Sequence, residues 1–425
     1  MWMIVLGFGV TTLLLAWLLF GYVVWLRFVG DVRKGCDIDP PTCALRLSIV
    51  VPCLNEEDLI IEKYRNLSAS RYPPDKLEIV FADGGSDDGT LERLQSLAGE
   101  DDRVRVVKCP ASGKVNQLNH VLPTLNGDIV FVTDADARLD ADALRWMAAE
   151  FEAKPEVAVV GAYTSPRGGL AVERCFWTAQ NRVRLLESSV SHVSMVIACC
   201  YAFRRELLSR FPDDVVADDV YVAALANTLG YQTVYSTKAL VEELRTPATL
   251  PEFFTHKFRK SNAVLRELLR FSYRLPEMDG RWKSILSTRI VQQLLLPWVS
   301  IVWLLSAVTL ANLGQIDVPA MGVAVLLTAL LVTRKATMSV ELPSGKTERF
   351  NLLTLTLAYL YTMAICCATG LTYLSFRQSS GYARLSGRLH SADRTTVEGK
   401  PRRPFGVSDP LPSIQGAGVG LRGAE

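Results

Sequence analysis

The chain has 425 residues, 49% of them hydrophobic, and its mean hydropathy is positive at +0.19. A formal net charge of +2 offers no basic excess to neutralise phosphates, which argues against nucleic acid as the main partner. None of the nine cysteines forms a C-x-x-C pair, so neither a zinc ribbon nor a redox motif is indicated. Reduced thiols in a cytosolic compartment are the simplest interpretation.

Residues 1–28 predict a transmembrane helix. The segment Met1–Leu26 contains no charged side chain and exceeds the roughly 20 apolar residues that a membrane span needs. A signal peptide fits less well, because there is no basic region before the apolar run and no small-residue cleavage site after it. Arg27, Arg33 and Lys34 follow the segment, so the positive-inside rule places the next domain in the cytoplasm.

Residues 45–245 alternate between strand-like and helix-like segments, which predicts an α/β domain with a mostly parallel sheet. Helices are predicted at 57–69 and 90–97. Ligands in such sheets gather at the carboxyl ends of the strands. The predicted strands are 47–51, 77–82, 104–107, 129–133 and 157–160.

Residues 250–285 predict a basic, aromatic amphipathic segment that lies in the membrane interface, although a packed surface helix explains the pattern equally well. Residues 286–376 predict about three further transmembrane helices, at 290–311, 318–333 and 352–376. Residues 377–425 are rich in Gly, Pro, Ser and Arg and predict a disordered basic tail. Four spans would put this tail outside, against the positive-inside rule, so either the tail breaks the rule or one segment does not cross.

Two acids follow the predicted strand at 129–133. Asp134 and Asp136 are two residues apart, a spacing that puts both carboxylates on one side of an extended chain. Two carboxylates at a strand end form an oxygen site suited to Mg²⁺ or Mn²⁺ and to a diphosphate held through the metal. The alternative is an ordinary polar loop with its acids in water.

The other strand ends carry polar motifs in a fixed order. They are Val51-Pro52-Cys53-Leu54-Asn55-Glu56, Asp83-Gly84-Gly85-Ser86-Asp87-Asp88-Gly89, Gly113-Lys114-Val115-Asn116-Gln117 and, further on, Ala217-Asp218-Asp219-Val220. With Asp134 and Asp136, they resemble family 2 glycosyltransferases of the GT-A fold, a Rossmann-like mixed sheet that binds nucleotide sugars. The resemblance covers about 45–260. The predicted layout also resembles that of membrane-bound chitin-oligosaccharide and hyaluronan synthases, which have one span, a catalytic domain and several further spans.

The resemblance implies a role for each motif. Asp134 and Asp136 would hold Mg²⁺ or Mn²⁺, and Asp219 would be the general base that deprotonates the acceptor hydroxyl, with Asp218 in support. The residues expected to bind the donor are Pro52, Glu56, Asp83, Lys114, Asp134 and Arg259. Each motif also has a plainer explanation: Asp218-Asp219 as a helix cap, Lys114 as a surface lysine, and Asp83–Asp88 as a turn.

The chain departs from the family at one motif. Processive members carry Gln-x-x-Arg-Trp near the membrane, whereas this chain has His256-Lys257-Phe258-Arg259-Lys260, which keeps only the Arg. In processive members the Trp of this motif stacks on the acceptor sugar, so its absence here puts processive polymerisation in doubt. Trp177 and Phe258 are the candidate acceptor contacts; a core-packed helix is at least an equal explanation for the segment around Trp177.

The resulting hypothesis is an integral, multi-pass cell-membrane enzyme with a cytoplasmic catalytic domain. It would be an inverting hexosyltransferase that moves a sugar from a nucleotide donor, with UDP preferred, to a growing saccharide or a lipid-linked acceptor. The alternatives are a non-processive glycolipid or polyprenyl-phosphate sugar transferase and a non-catalytic GT-A scaffold. A transporter fits poorly, because the apparent spans contain almost no ionisable residues. The sequence leaves the sugar, the linkage and the oligomeric state open.

Overall fold

The computed structural model describes residues 1–30, 41–338 and 350–373, with side chains left undescribed at 334–338. Eight strands form one sheet in the order β3-β2-β1-β4-β7-β6-β8-β5. The strands are β1 Leu47–Cys53, β2 Leu77–Asp83, β3 Val104–Lys108, β4 Ile129–Thr133, β5 Ala137–Leu139, β6 Val157–Pro166, β7 Cys200–Arg204 and β8 Gln232–Glu243.

The strands β1 and β4, third and fourth in the sheet, are parallel neighbours, with Leu47 opposite Ile129 and Val50 opposite Val132. Every residue of β4 is buried, as the apolar run predicts for a strand covered on both faces. The next strand, β7, is antiparallel to both β4 and β6, so the sheet is mixed. The carboxyl ends of β1, β2 and β4 meet at one edge, because these strands run in the same direction.

Helices connect and cover the strands of this domain. They are α3 Ile60–Ser68, α4 Thr90–Glu100, α5 Lys114–Val121, α6 Ala143–Ala153, α7 Ala171–Ser188, α8 Asp218–Thr228 and α9 Leu250–Arg270. The helix α9 begins at an N-cap, where the Thr249 side chain accepts a hydrogen bond from the Glu252 N–H and Pro251 occupies the first turn.

Apolar helices occupy both ends of the described chain. The first is α1 Trp2–Ala16, continued through a π-helical turn at Trp17–Gly21 into α2 Tyr22–Val29; the others are α10 Gly280–Asn312, α11 Asp317–Met338 and α12 Leu352–Thr372. Among the residues that the structure describes, three helical stretches are long and apolar enough to cross a membrane: Trp2–Val29, Gly280–Asn312 and Leu352–Thr372. The apolar stretch Asp317–Thr333 is shorter.

The apolar helices pack against one another and against the sheet domain. Leu15 and Leu18 form a cluster with Leu296 of α10, and Trp303 Nε1 donates a hydrogen bond to Thr12 at 2.9 Å. A second cluster joins α7, α9 and α12 through Val172, Cys175, Phe253, Ala358 and Ile365. The sheet domain and the apolar helices are therefore in direct contact.

The structure confirms the predicted fold class: a GT-A sheet together with apolar helices. All five predicted strands form, and each segment predicted to be helical contains a helix, although the helix predicted at 57–69 is shorter and covers only Ile60–Ser68. The apolar side of α9 packs on α7 and α12, so its interfacial placement stays a prediction, as do the domain boundaries. The predicted tail at 377–425 lies outside the described residues.

Candidate active site

Asp134 and Asp136 lie in the loop between β4 and β5, beside the end of β1. The buried Lys63 side chain contacts both ends of this loop. Its Nζ donates hydrogen bonds to Thr133 Oγ1 at 2.8 Å and to the Ala137 carbonyl at 2.6 Å. Burial lowers the pKa of Lys63 to about 8, although the two loop carboxylates act to raise it. One ammonium group therefore fixes both ends of the loop that presents the acids.

Negative charge is concentrated around Asp136. Burial raises the pKa of Asp136 to about 7, with further contributions from Asp134 and Glu243, while Arg245 lowers it. No group of three metal-ligating side chains occurs within the described ranges. Two carboxylates nevertheless fit Mg²⁺, which keeps several waters and takes substrate phosphate oxygens alongside one or two carboxylates. A divalent cation would relieve the repulsion between the acids.

Lys114 joins the β4 loop to the start of α8. Its Nζ lies 2.8 Å from Asp134 Oδ1 and 3.2 Å from Asp218 Oδ2, and the side chain is almost fully buried. The preceding Gly113 has φ 106°, a conformation that favours glycine and that turns the chain into α5. Tyr201 donates its hydroxyl to Asp218 at 2.6 Å. The Lys114 ammonium is therefore a buried cation within the acid cluster.

Asp219 follows Asp218 in the first turn of α8 but has different surroundings. Its Oδ2 accepts a hydrogen bond from the Ala198 N–H at 3.0 Å, and the residue lines a large cavity of about 1580 Å³. Burial raises the pKa of Asp219 to about 6; the Asp218 charge adds to this, while Lys114 and Lys260 oppose it. A carboxyl group that ionises near neutrality and faces a cavity has the properties of a general base.

Glu56, after β1, pairs with Arg245, after β8. The two side chains form a bidentate ion pair, in which Arg245 Nη1 donates to Glu56 Oε1 at 2.7 Å. Both residues line the same cavity as Pro52 and Asp136. The sequence did not predict Arg245; the available signal was a charged group just past the end of a strand.

Asp83 is deeply buried and faces its own loop. Its Oδ2 accepts hydrogen bonds from the backbone N–H groups of Gly85 at 3.0 Å and Ser86 at 3.1 Å. It is not among the residues that line the large cavity. Asp83 therefore stabilises the turn that follows β2, which is the plainer explanation of this motif. The predicted contact between Asp83 and the donor stays a prediction.

One cavity of about 1580 Å³ joins the acids to the apolar helices. Its polar part includes Lys114, Asp134, Asp136 and Asp219, and its apolar part is lined from the π-helical turn Trp17–Gly21, α2, α10, α11 and α12. Trp177 and Arg259 line it, whereas Phe258 does not and instead stacks on Phe254 with ring centroids 6.1 Å apart. Trp177 is buried, with Lys257 Nζ 4.8 Å from its ring centroid.

Residues 48–211 match the sequence profile of the family Glycosyl transferase family 2. The chain therefore carries a glycosyl transferase family 2 domain.

Two curated relatives align with parts of the chain. The Beta-monoglucosyldiacylglycerol synthase of Trichormus variabilis is 35% identical over 135 residues, 31% of this chain and 28% of the relative. The Poly-beta-1,6-N-acetyl-D-glucosamine synthase of Staphylococcus aureus is 25% identical over 258 residues, 58% of this chain and 62% of the relative. The chain thus spans from about a quarter to under two thirds of the length of these relatives.

A solved structure supports the fold over a longer range. The mannosyltransferase PcManGT of Pyrobaculum calidifontis, solved in complex with GDP-Man and Mn²⁺, matches with a TM-score of 0.64 and 23% identity. The match covers 87% of this chain and 99% of that one, so the shared fold extends beyond the sheet domain.

Proposed function

We propose that this protein is a membrane-bound, metal-dependent, inverting glycosyltransferase that moves one sugar from a nucleotide donor to a lipid acceptor. The observation that carries the proposal is the single cavity that joins Asp134, Asp136 and Asp219 to four apolar helices. A cavity with a charged end and an apolar end suits two substrates of opposite character: a nucleotide sugar and a lipid with a hydroxyl or phosphate head.

The charged end has the groups that a nucleotide-sugar donor requires. Asp134 and Asp136 would hold Mg²⁺ or Mn²⁺, and the metal, when bound, would offset charge on the leaving diphosphate. Lys114, Arg245 and Arg259 supply cations around the same part of the cavity. UDP is our proposal for the nucleotide; the GDP-Man of the Pyrobaculum enzyme makes GDP the first competitor to test.

Asp219 would be the general base. As the acceptor oxygen forms its bond to the anomeric carbon, the bond from that carbon to the diphosphate breaks and the electron pair leaves with the diphosphate. The acceptor proton passes to the Asp219 carboxylate, which Ala198 N–H holds in place. Attack from the face opposite the leaving group inverts the anomeric carbon.

The apolar end supports a lipid acceptor and a membrane location. Leu18, Leu296, Leu326, Leu355 and Ile365 line the cavity from four different helices. The exposed surfaces of these helices are also rich in large apolar side chains. In the proposed membrane topology, the first helix crosses the membrane and the sheet domain lies on the cytoplasmic side, because positively charged residues, beginning with Arg27, follow the apolar segment.

A growing saccharide is the second candidate acceptor. Trp177, which the sequence predicts as an acceptor contact, lies in the cavity lining, and the Staphylococcus relative is named for a polysaccharide product. The Trichormus relative is named for a glycolipid product, so the relatives divide between the two candidates.

Product analysis distinguishes these acceptors. Full-length protein in nanodiscs is incubated with radiolabelled UDP- and GDP-sugars, membrane lipid extract and Mg²⁺ or Mn²⁺, with a chelated control. We expect one metal-dependent labelled species that partitions into organic solvent. A water-soluble ladder would favour the saccharide acceptor, and absence of transfer with every donor would favour a non-catalytic scaffold.

A further inference from the structure

Arg184 is a buried cation whose polar atoms are incompletely satisfied. It lies on α7, lines the large cavity, and is more than nine-tenths buried. Within the described residues, its Nε and Nη1 have no hydrogen-bond partner. Burying a guanidinium without an anion is unfavourable, because the charge loses its hydration and gains no compensating partner. A buried charge of this kind indicates an absent partner.

The neighbouring carboxylate of Glu187 does not supply that partner. Its Oε1 accepts from Arg289 Nε at 3.0 Å and from the Tyr22 hydroxyl, and its Oε2 accepts from the Ser194 N–H at 2.8 Å. Arg289 is thereby neutralised, while Arg184 is not. Burial lowers the pKa of Arg184, Arg289 lowers it further, and Tyr235, Glu187 and Asp219 act through space to raise it.

Other unsatisfied donors line the same cavity. The buried Nε1 of Trp177 lacks a partner among the described residues, and Arg184 lies over the Trp177 ring, 5.8 Å from its centroid. His256 Nδ1 is likewise buried and unpartnered there. Burial lowers the pKa of His256, with Lys260, Lys257 and Arg259 lowering it further, so the ring is neutral and has one N–H to donate.

We propose that Arg184, with Trp177 and His256, binds the phosphate of a phosphate-bearing lipid acceptor. Planar guanidinium groups recognise phosphate through paired hydrogen bonds, and the unsatisfied donors are of the type that a phosphate would accept from. Arg184 lines the same cavity as Asp219, the proposed base. This inference rests on the proposed function, because it names the acceptor for that same cavity.

The phosphate has two possible lipid sources, a polyisoprenyl phosphate and phosphatidic acid. Native mass spectrometry of full-length protein in nanodiscs, without donor, measures retention of each lipid against its neutral counterpart, polyisoprenol or diacylglycerol. We expect one phosphate-bearing lipid to bind at least about tenfold more tightly than its neutral counterpart, as one hydrogen bond to a charged group allows. Equal retention of phosphate-bearing and neutral lipids would overturn the proposal.

Variants test whether Arg184 causes the preference for phosphate-bearing lipids. Arg184→Gln should remove the preference for phosphate, Arg184→Lys should keep part of it, and Arg174→Gln on the same helix, outside the cavity lining, should leave it intact. Calorimetric titration with UDP and Mg²⁺ tests the competing assignment. If Arg184→Gln weakens UDP binding and spares lipid binding, Arg184 serves the donor and the proposal is wrong. Because the lipid assay needs no sugar transfer, selective binding would survive even if the proposed activity failed.

Discussion

The buried Lys114 ammonium lies 2.8 Å from Oδ1 of Asp134, which is one of the two proposed metal ligands. The same ammonium lies 3.2 Å from Asp218, so the end of β4 and the first turn of α8 are joined through it. This contact connects the proposed metal-binding loop to the helix that carries the proposed base. Its loss should therefore affect the chemistry at both places.

Lys114→Met should lower kcat/KM by roughly 100-fold, the scale for removing one preorganised electrostatic group. The physical reason is that Asp134 and Asp218 would repel each other without the cation between them. Steady-state kinetics with the labelled donor measures the loss. Lys108→Met, an exposed lysine at the end of β3, is the matched control and should keep its activity. A Lys114→Met protein with unchanged kinetics would show that the ion pairs are merely structural.

Lys63→Met should impair both stability and activity. Thr133 Oγ1 would lose its Lys63 donor and the Ala137 carbonyl would lose a buried hydrogen bond, which costs about 1–3 kcal/mol for each unsatisfied group. The freed loop would also misplace Asp134 and Asp136. Thermal unfolding and a Mn²⁺ titration of activity report the two effects. The exposed Arg65→Gln on the same helix should change neither.

Activity should rise as the pH increases through about 6, because Asp219 must be ionised to accept a proton. Asp219→Asn should reduce kcat by at least about 100-fold, within the range for general-base catalysis. A raised folded-state pKa stabilises the fold at low pH, and this contribution is lost as the pH rises from 3.8 towards 6. At pH 7, Asp219→Asn should therefore melt no lower than the wild type. A pH–rate profile without an ionisation near 6 would contradict the role.

The Glu56–Arg245 pair should show coupling in a double-mutant cycle. Arg245→Gln leaves the Glu56 carboxylate uncompensated beside the proposed diphosphate site, so the KM for the donor should rise severalfold. Adding Glu56→Gln removes that charge and should recover part of the loss. Donor KM values for the two single variants and the double variant measure the coupling. Strict additivity would mean that the pair does not act as a unit.

The sequence predicts the elements that apolar runs define. Leu47–Cys53 and Ile129–Thr133 are buried strands, and their polar ends meet as the parallel-sheet rule requires. Asp134, Asp136 and Asp219 were predicted as site residues, and the structure brings them to one cavity.

The missed features depend on long-range contacts. Lys63 falls within a predicted helix, where a lysine is ordinarily solvated, and only its position between Ile60 and Leu67 on the buried face hints otherwise. The partner of Glu56 lies 189 residues away at Arg245, a distance that no local pattern spans. The antiparallel insertion of β7 likewise depends on pairing between strands and not on its own residues.

Blocking the cavity between the acids and the apolar helices tests whether a lipid acceptor reaches Asp219 through it. Leu326 lines the cavity from α11, whereas its neighbour Val325 is exposed and does not. Leu326→Trp should abolish sugar transfer to lipid while retaining metal-dependent hydrolysis of the donor to free sugar, and Val325→Trp should preserve both. Unchanged transfer by the Leu326→Trp protein would contradict the account, because the acceptor would then reach Asp219 by another route.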